Sequence, residues 1–539
     1  MDETADSLYE QLLTRGHETA GDKPPRSSAA VVPWRLDEAG EVEVYWVRRS
    51  PTMRFMGGFY AFPGGGLARS DAAVPVAAPP DGASGTTFCD AEPGMDAARR
   101  EQLGPDLAPG LVACTLRELF EETGLLLANP ASEATPIDTQ ELPAQRQRLL
   151  DKQIDFAGMI EEQGWQLDAS PLVFAGRWLT PPLAPMRFDN RFFLLPWPRS
   201  QAVQPSLMGG ELDRGEWIRP LQALERWRRG ELMTAPPILH ILRVLAEEAP
   251  AEALPRLLQP DEANLGPLRR IEFRPGVILL PLLTPTLPPA TRTNAYILGT
   301  GRAVLVDPAT PFADETDRLR QALDAARSKG LEIQAIWLTH HHPDHIGAAE
   351  TMRRELDVPI CAHPLTADRL HHSGLRVDRE LGDDQIFDLG GDAPFPVRVV
   401  HTPGHARGHL CFFDETYRSL VAGDLVSTLS TIVIDPPEGD MDDYIDSLDR
   451  AAALSPNILF PAHGPPVPGA VRRLGRLKQH RLDREEQILN TWQSGTTDPA
   501  AMVAEIYADV PRPVHLIAER QLQAHLTRLR RLGKLGVKP

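Results

Sequence analysis

The feature that most restricts this chain is a cluster of four metal-type side chains within six residues, His340, His342, Asp344 and His345, set just after the apolar segment AIWL. Three more candidates follow in order: His405 in HTPGHARGH, Asp424 in VAGD and His463 in PAHGP, each again after a short apolar run. Short apolar runs bounded by turn residues read as buried strands. Ligands collect where the strands of an open sheet end in loops. The seven residues therefore call for a fold in which several strand ends, drawn from about 125 residues of chain, converge on one point. Neutral imidazoles suit a transition-metal ion, and Asp344 adds a hard oxygen. Turn histidines, or a surface cluster that takes up metal adventitiously, explain one such motif but not four in sequence.

The runs VILLPLL, NAYILG, AVLVD, AIWLTH, FPVRVVH, LCFF, SLVAGD and NILFPAH predict strands of a layered α/β sandwich over 268–470. Earlier, VEVYWVRR and RFFLLP predict strands and 111–126 predicts a helix, giving a mixed α/β domain over 27–248 behind an N-terminal extension, 1–26. The Ala-, Pro- and Gly-rich stretch 72–109 reads as a surface insertion in that domain. The stretch 249–267, with Pro250, Pro255, Pro260 and Pro267, reads as an interdomain linker. From 471 to 539 the pattern turns helical and closes on LGKLGVKP, where two glycines flank a short wing. A multidomain α/β and α+β chain is the expectation, since 539 residues exceed what one core supports.

The start, MDETADSLYEQLL, lacks the basic-then-apolar order of a signal peptide, and the apolar run 277–287 is broken by Pro281 and Pro285. A cytoplasmic protein without a membrane partner is expected. Cys89, Cys114, Cys361 and Cys411 are scattered and read as reduced core thiols. A net charge of −18 argues against a wholesale nucleic-acid coat. The tail from Val471 is different, with 13 Lys or Arg against 7 Asp or Glu. It offers either RNA contact or a packing surface.

A second constellation lies at Arg117, Glu118, Glu121 and Glu122. On a helix the three glutamates share one face and repel each other unless a cation joins them. Mg²⁺ takes such oxygen ligands together with substrate phosphates. A solvated acidic helix face is the plainer alternative.

The His340, His342, Asp344 and His345 pattern resembles the HxHxDH signature of the metallo-β-lactamase superfamily, over about 277–468. The resemblance implies an αββα sandwich and two metal ions, Zn²⁺ or else Fe or Mn. His340, His342 and His405 would hold the first, Asp344, His345 and His463 the second, and Asp424 would bridge them. Asp344 would also orient the nucleophile or collect its proton. His341, His401 and His409 would support the ligands or the fold. HTPGHARGH is similar to glyoxalase II-like thioesterases, whereas HRLDREEQIL and the basic tail resemble lactamase-like endoribonucleases with a small winged-helix-like terminal domain.

FPGGG followed by REXXEEXG resembles the Nudix hydrolase box, over roughly 27–248, with Gly65 as its leading glycine and Asp71 where the family has its first glutamate. This implies an α/β/α fold with Mg²⁺ or Mn²⁺ on Glu118, Glu121 and Glu122, oriented by Arg117. RFMGGFYAFPGG, with Arg54, Gly58 and Gly65 as its binding residues, and WLTPPLAPMRFDNRFF resemble the coenzyme A diphosphatase branch. Together the resemblances imply a bifunctional hydrolase acting on small phosphate or thioester substrates. The alternatives are an RNA-processing enzyme, and a hydrolase whose first domain serves as a ligand sensor.

Overall fold

The computed structural model describes residues 25–53, 56–77, 107–130, 137–180, 187–197, 204–258, 264–265, 268–269, 271–508 and 515–535. They form two compact units, one reaching to residue 258 and the other starting at 264. Arg54 and most of the 72–109 insertion lie outside the described residues, as do Cys89 and the end of LGKLGVKP.

In the first unit a mixed sheet runs in the order Met233–Thr234, Phe59–Ala61, Val42–Arg49, Arg26–Leu36, Phe188–Pro196 and Val173–Leu179. Gly64–Gly66 pairs with Arg26–Leu36, and Leu212–Ile218 pairs with Val42–Arg49. Side chains alternate across a strand, so one strand feeds two cores. Ala29 and Val31 pack with Leu116 and Phe120 of the helix Leu107–Thr123. Ala30 and Val32 pack with Trp46, Trp227 and Leu242 beneath the helices Pro220–Arg228 and Pro236–Glu247. The result is the α/β/α layering expected.

The helix expected over 111–126 stops at Thr123, because Gly124 takes a φ of 82°, the left-handed conformation that closes helices. The linker expected from 249 begins later as well. Ala253 and Leu257 are buried in the second of these cores, so the helix Leu254–Leu258 belongs to the first unit.

In the second unit all eight apolar runs are strands of two sheets. The first runs from Ile271–Arg274 through Val277–Leu283, Arg292–Gly299, Arg302–Val306, Glu332–Trp337 and Ile360–Ala362 to Arg379–Glu380. The second runs Ile386–Asp388, Pro396–His401, Leu410–Asp414, Ser419–Ser427, Ile458–His463 and Val467–Pro468. They meet face to face through Tyr296 against Phe460 and Trp337 against Phe412, with ring centroids 5.9 and 4.9 Å apart. Helices Ala313–Ser328 and Ala349–Leu356 cover one outer face through Leu319, Leu323 and Met352, and Met441–Ala453 covers the other through Tyr444 and Leu448. This is an αββα sandwich, whose strands are buried on both faces and so read as continuous apolar runs.

The helix Ala470–Gln493 is continuous across residue 471. Its first turns place Ala470 and Leu474 in the sandwich core, while Ile488 joins Met502, Val503, Leu522 and Leu526 of helices Pro499–Ile506 and His515–Arg531. Cys114, Cys361 and Cys411 are buried free thiols. Among the described residues no helix is long and apolar enough to cross a membrane.

Candidate metal centre

The strand Glu332–Trp337 delivers Thr339 and His340 to the sandwich edge, and Ser419–Ser427 and Ile458–His463 deliver Asp424 and His463. All seven residues singled out in the sequence meet there. His342 Nδ1 lies 2.9 Å from His340 Nε2 and 3.0 Å from His405 Nε2. On the other side, His463 Nε2 lies 3.5 Å from Asp344 Oδ2, and His345 Nε2 lies 4.0 Å from Asp344 Oδ1. Asp424 stands between the groups, 3.3 Å from His405 Nε2, 3.4 Å from His463 Nε2 and 3.7 Å from His345 Nε2.

Inward orientation is built from the far side of each ring. His405 Nδ1 donates to the Val433 carbonyl at 2.7 Å and His463 Nδ1 to the Arg292 carbonyl at 3.0 Å. Asp307 serves two rings at once. Its carboxylate accepts from His345 Nδ1 at 2.8 Å and from the Thr339 hydroxyl at 2.6 Å, and Thr339 Oγ1 sits 3.0 Å from His340 Nδ1. These bonds fix tautomers that leave Nε2 facing the centre. Sequence reasoning missed Asp307, although it ends the run AVLVD as Asp424 ends VAGD. Its φ of 47° is rare outside glycine and asparagine-like residues and marks a constrained position.

His409 Nε2 accepts from the Asp424 amide at 3.0 Å, and His401 stacks on His363 with centroids 4.1 Å apart. A Cβ at Gly423 would fall 2.7 Å from His409 Nε2, so only glycine lets Asp424 follow.

The donor set fits a divalent cation. Three groups, His340–His342–His405, His340–His345–Asp424 and Asp344–His345–His463, each bring their ligand atoms within 4.8 Å. Among the described residues, His345 Nε2 and Asp424 Oδ1 are buried there without a hydrogen-bond partner, which is costly unless an ion meets them. Burial, then the neighbouring imidazoles, hold His340 and His342 well below the usual histidine range, keeping their nitrogens neutral. Burial also opposes protonation of His345, but Asp424, Asp344 and Asp307 outweigh it and push its pKa up to about 10.

Asp307→Asn keeps a side chain that tolerates this backbone but removes the anion behind His345 and Thr339. Zinc affinity is expected to fall about 10- to 100-fold, read by competition against a chelating dye. Wild-type affinity in the variant would mean that Asp307 does not orient the rings.

In the first unit Arg117 gathers the carboxylates. Its Nε and Nη2 pair with both oxygens of the fully buried Asp71 at 2.8 and 3.1 Å, while Nη1 reaches Glu118 at 2.7 Å and Glu121 at 3.3 Å. The 3-10 turn Arg69–Ala73 brings the short Asp71 side chain within reach. Glu122 accepts from the Gly64 amide at 3.0 Å. A Cβ on Gly65 would sit 2.3 Å from Glu118 Oε1 and one on Gly64 would sit 2.4 Å from the Ala29 carbonyl oxygen, so these two positions of the strand require glycine. Burial, only partly offset by Arg117, pushes Glu118 up to about 7. Gly58, at φ 84°, donates its amide to the Arg49 carbonyl at 2.8 Å.

The basic tail is extensively paired. Arg520 binds Asp435, Arg528 binds Asp442 and Glu485, Arg531 binds Asp440 and Asp442, and Lys478 binds Asp449.

Three families match the chain: the metallo-beta-lactamase superfamily over 288–463, the NUDT19 Nudix domain over 18–245, and the beta-lactamase associated winged helix domain over 499–536. A lactamase-like protein, vrtG, of Penicillium aethiopicum is 30% identical over 268 residues, covering 48% of this chain and 82% of its own. A beta-lactamase-like protein 2 homolog of Caenorhabditis elegans is 28% identical over 243 residues, covering 44% of this chain and 78% of its own. A Nudix hydrolase structure from Alicyclobacillus acidocaldarius aligns with 44% of this chain and 97% of its own, at 30% identity and a TM-score of 0.34.

Proposed function

Because this chain belongs to the metallo-β-lactamase superfamily and joins that domain to a Nudix domain and a winged-helix domain, we propose that it is a bifunctional metal-dependent hydrolase. The first site cleaves the diphosphate of coenzyme A or a nucleotide-like molecule, and the second cleaves an ester, thioester or phosphodiester. The observation that carries this reading is the convergence of seven ligand-type residues around His345 Nε2 and Asp424 Oδ1, which are buried without a hydrogen-bond partner.

At the second site His340, His342 and His405 would hold one ion, Asp344, His345 and His463 another, with Asp424 shared. Zn²⁺, Fe or Mn bound there would polarise the scissile group and lower the pKa of a water. Asp344 orients the attacking water and takes its proton. Asp307, Val433 and Arg292 keep the rings aimed, so little reorganisation accompanies reaction.

At the first site Glu118, Glu121 and Glu122 would hold Mg²⁺ or Mn²⁺ against the substrate phosphates. Arg117, anchored by Asp71, keeps Glu118 and Glu121 on that face. The pairing of the tail arginines with acidic neighbours favours the packing role of the tail over RNA contact.

The test is a steady-state assay of the metal-replete protein on coenzyme A, an acyl-coenzyme A, S-lactoylglutathione and single-stranded RNA. Diphosphate cleavage together with thioester cleavage is expected. Absence of both activities would sink the proposal, and RNA cleavage with untouched thioesters would narrow its second half to phosphodiester cleavage.

A further inference from the structure

The loop between the strand Ser419–Ser427 and the helix Met441–Ala453 supplies no ligand, yet it aims one, because the Val433 carbonyl accepts from His405 Nδ1 at 2.7 Å. That carbonyl and the amide of Ile434 belong to one peptide plane. The plane is rigid and trans, so its C=O and N–H point in opposite directions, and whatever grips one aims the other. The grip comes from the helix His515–Arg531. Gln521 Oε1 accepts from the Ile434 amide at 3.0 Å. Gln521 and Ile434 are both buried, so water cannot substitute for the bond, and a hydrogen bond in such surroundings polarises the next in the chain. Two neighbouring contacts brace the same loop: Arg481 donates to the Ile432 carbonyl at 2.5 Å and Arg520 pairs with Asp435 at 2.7 Å.

We infer that Gln521 is a positioning residue for the metal centre. It tilts the Val433–Ile434 peptide so that the carbonyl holds the Nδ1–H tautomer of His405 and turns Nε2 toward His342 and Asp424. The winged-helix region thereby acts on the hydrolytic site without touching it, a role independent of any nucleic acid. The inference rests on the reading of His405 as a metal ligand.

The experiment compares full-length wild type with Gln521→Met, which keeps the volume but loses the acceptor, Gln521→Glu, which keeps both, and His405→Ala. Zinc affinity is measured by dye competition, the ligand field by the visible spectrum of the Co²⁺-substituted protein, and folding by the melting temperature of the metal-free protein. Gln521→Met is expected to bind zinc about 10-fold more weakly and to shift the cobalt bands, with kcat lowered and KM unchanged, while Gln521→Glu stays within a factor of about 2 of wild type. Gln521→Asn, polar but too short to reach Ile434, repeats the test should the Met variant not fold. Wild-type affinity and spectrum in the Met or Asn variant, or equal losses in Met and Glu, would overturn the inference. If His405→Ala itself retains zinc as wild type does, the reading of His405 as a ligand fails instead.

Discussion

Asp344→Ala is expected to lower kcat at the second site by roughly 10²- to 10⁴-fold while KM moves little, because the variant loses both a ligand of the second ion and the group that takes the proton of the attacking water. The position of Asp344 supports that magnitude. It sits on the four-residue helix Pro343–Ile346, and its two oxygens face His463 and His345 at 3.5 and 4.0 Å. Alanine leaves His340, His342 and His405 in place, so part of the site persists and activity should not vanish. Diphosphate cleavage by the first unit is expected to be unchanged, which guards against a general loss of folding. Single-turnover kinetics on the thioester check the expectation. A fall in kcat smaller than about 10-fold would remove Asp344 from proton transfer.

Arg117→Met should destabilise the first unit by about 3–5 kcal/mol, since removing one partner of a buried ion pair strands the other. Asp71 is fully buried and bonds Arg117 through both oxygens, and Glu118 and Glu121 lean on the same guanidinium. At about 2–4 °C per kcal/mol for a unit of this size, the corresponding calorimetric transition should drop by roughly 10 °C. Diphosphate cleavage should fall with it, because burial then raises Glu118 without the opposing cation. Adding Asp71→Leu removes the stranded charge, so the double variant should regain stability but not activity. A shift of less than about 1 °C in the single variant would show that the pair contributes little.

Much of this was readable in the residues, and the exceptions have physical causes. Strands such as VILLPLL and SLVAGD stood out because both faces are buried, which makes their apolar runs continuous. The seven ligand-type residues stood out because each follows such a run. Asp307 did not, since one aspartate after a strand looks like a turn residue until its partners Thr339 and His345 are known. Gln521 gave no signal at all, because its contact with Ile434 spans 87 residues and involves only backbone on the far side. The basic tail left two readings open for another reason. A charge count of the tail registers Arg528 and Arg531 but not Asp440 and Asp442, which lie against them from outside it. The linker began too early in the sequence reading because prolines mark breaks in hydrogen bonding, whereas burial of Ala253 and Leu257 decides where the first unit ends.

The most direct measurement is the metal content of the zinc-reconstituted protein by native mass spectrometry, with wild type beside Asp424→Ala. Asp424 faces ligands of both groups, so losing it should weaken both halves of the centre. Two chelator-resistant ions in wild type and at most one in the variant are the expected result. The same complement in both proteins would contradict a centre built around Asp424.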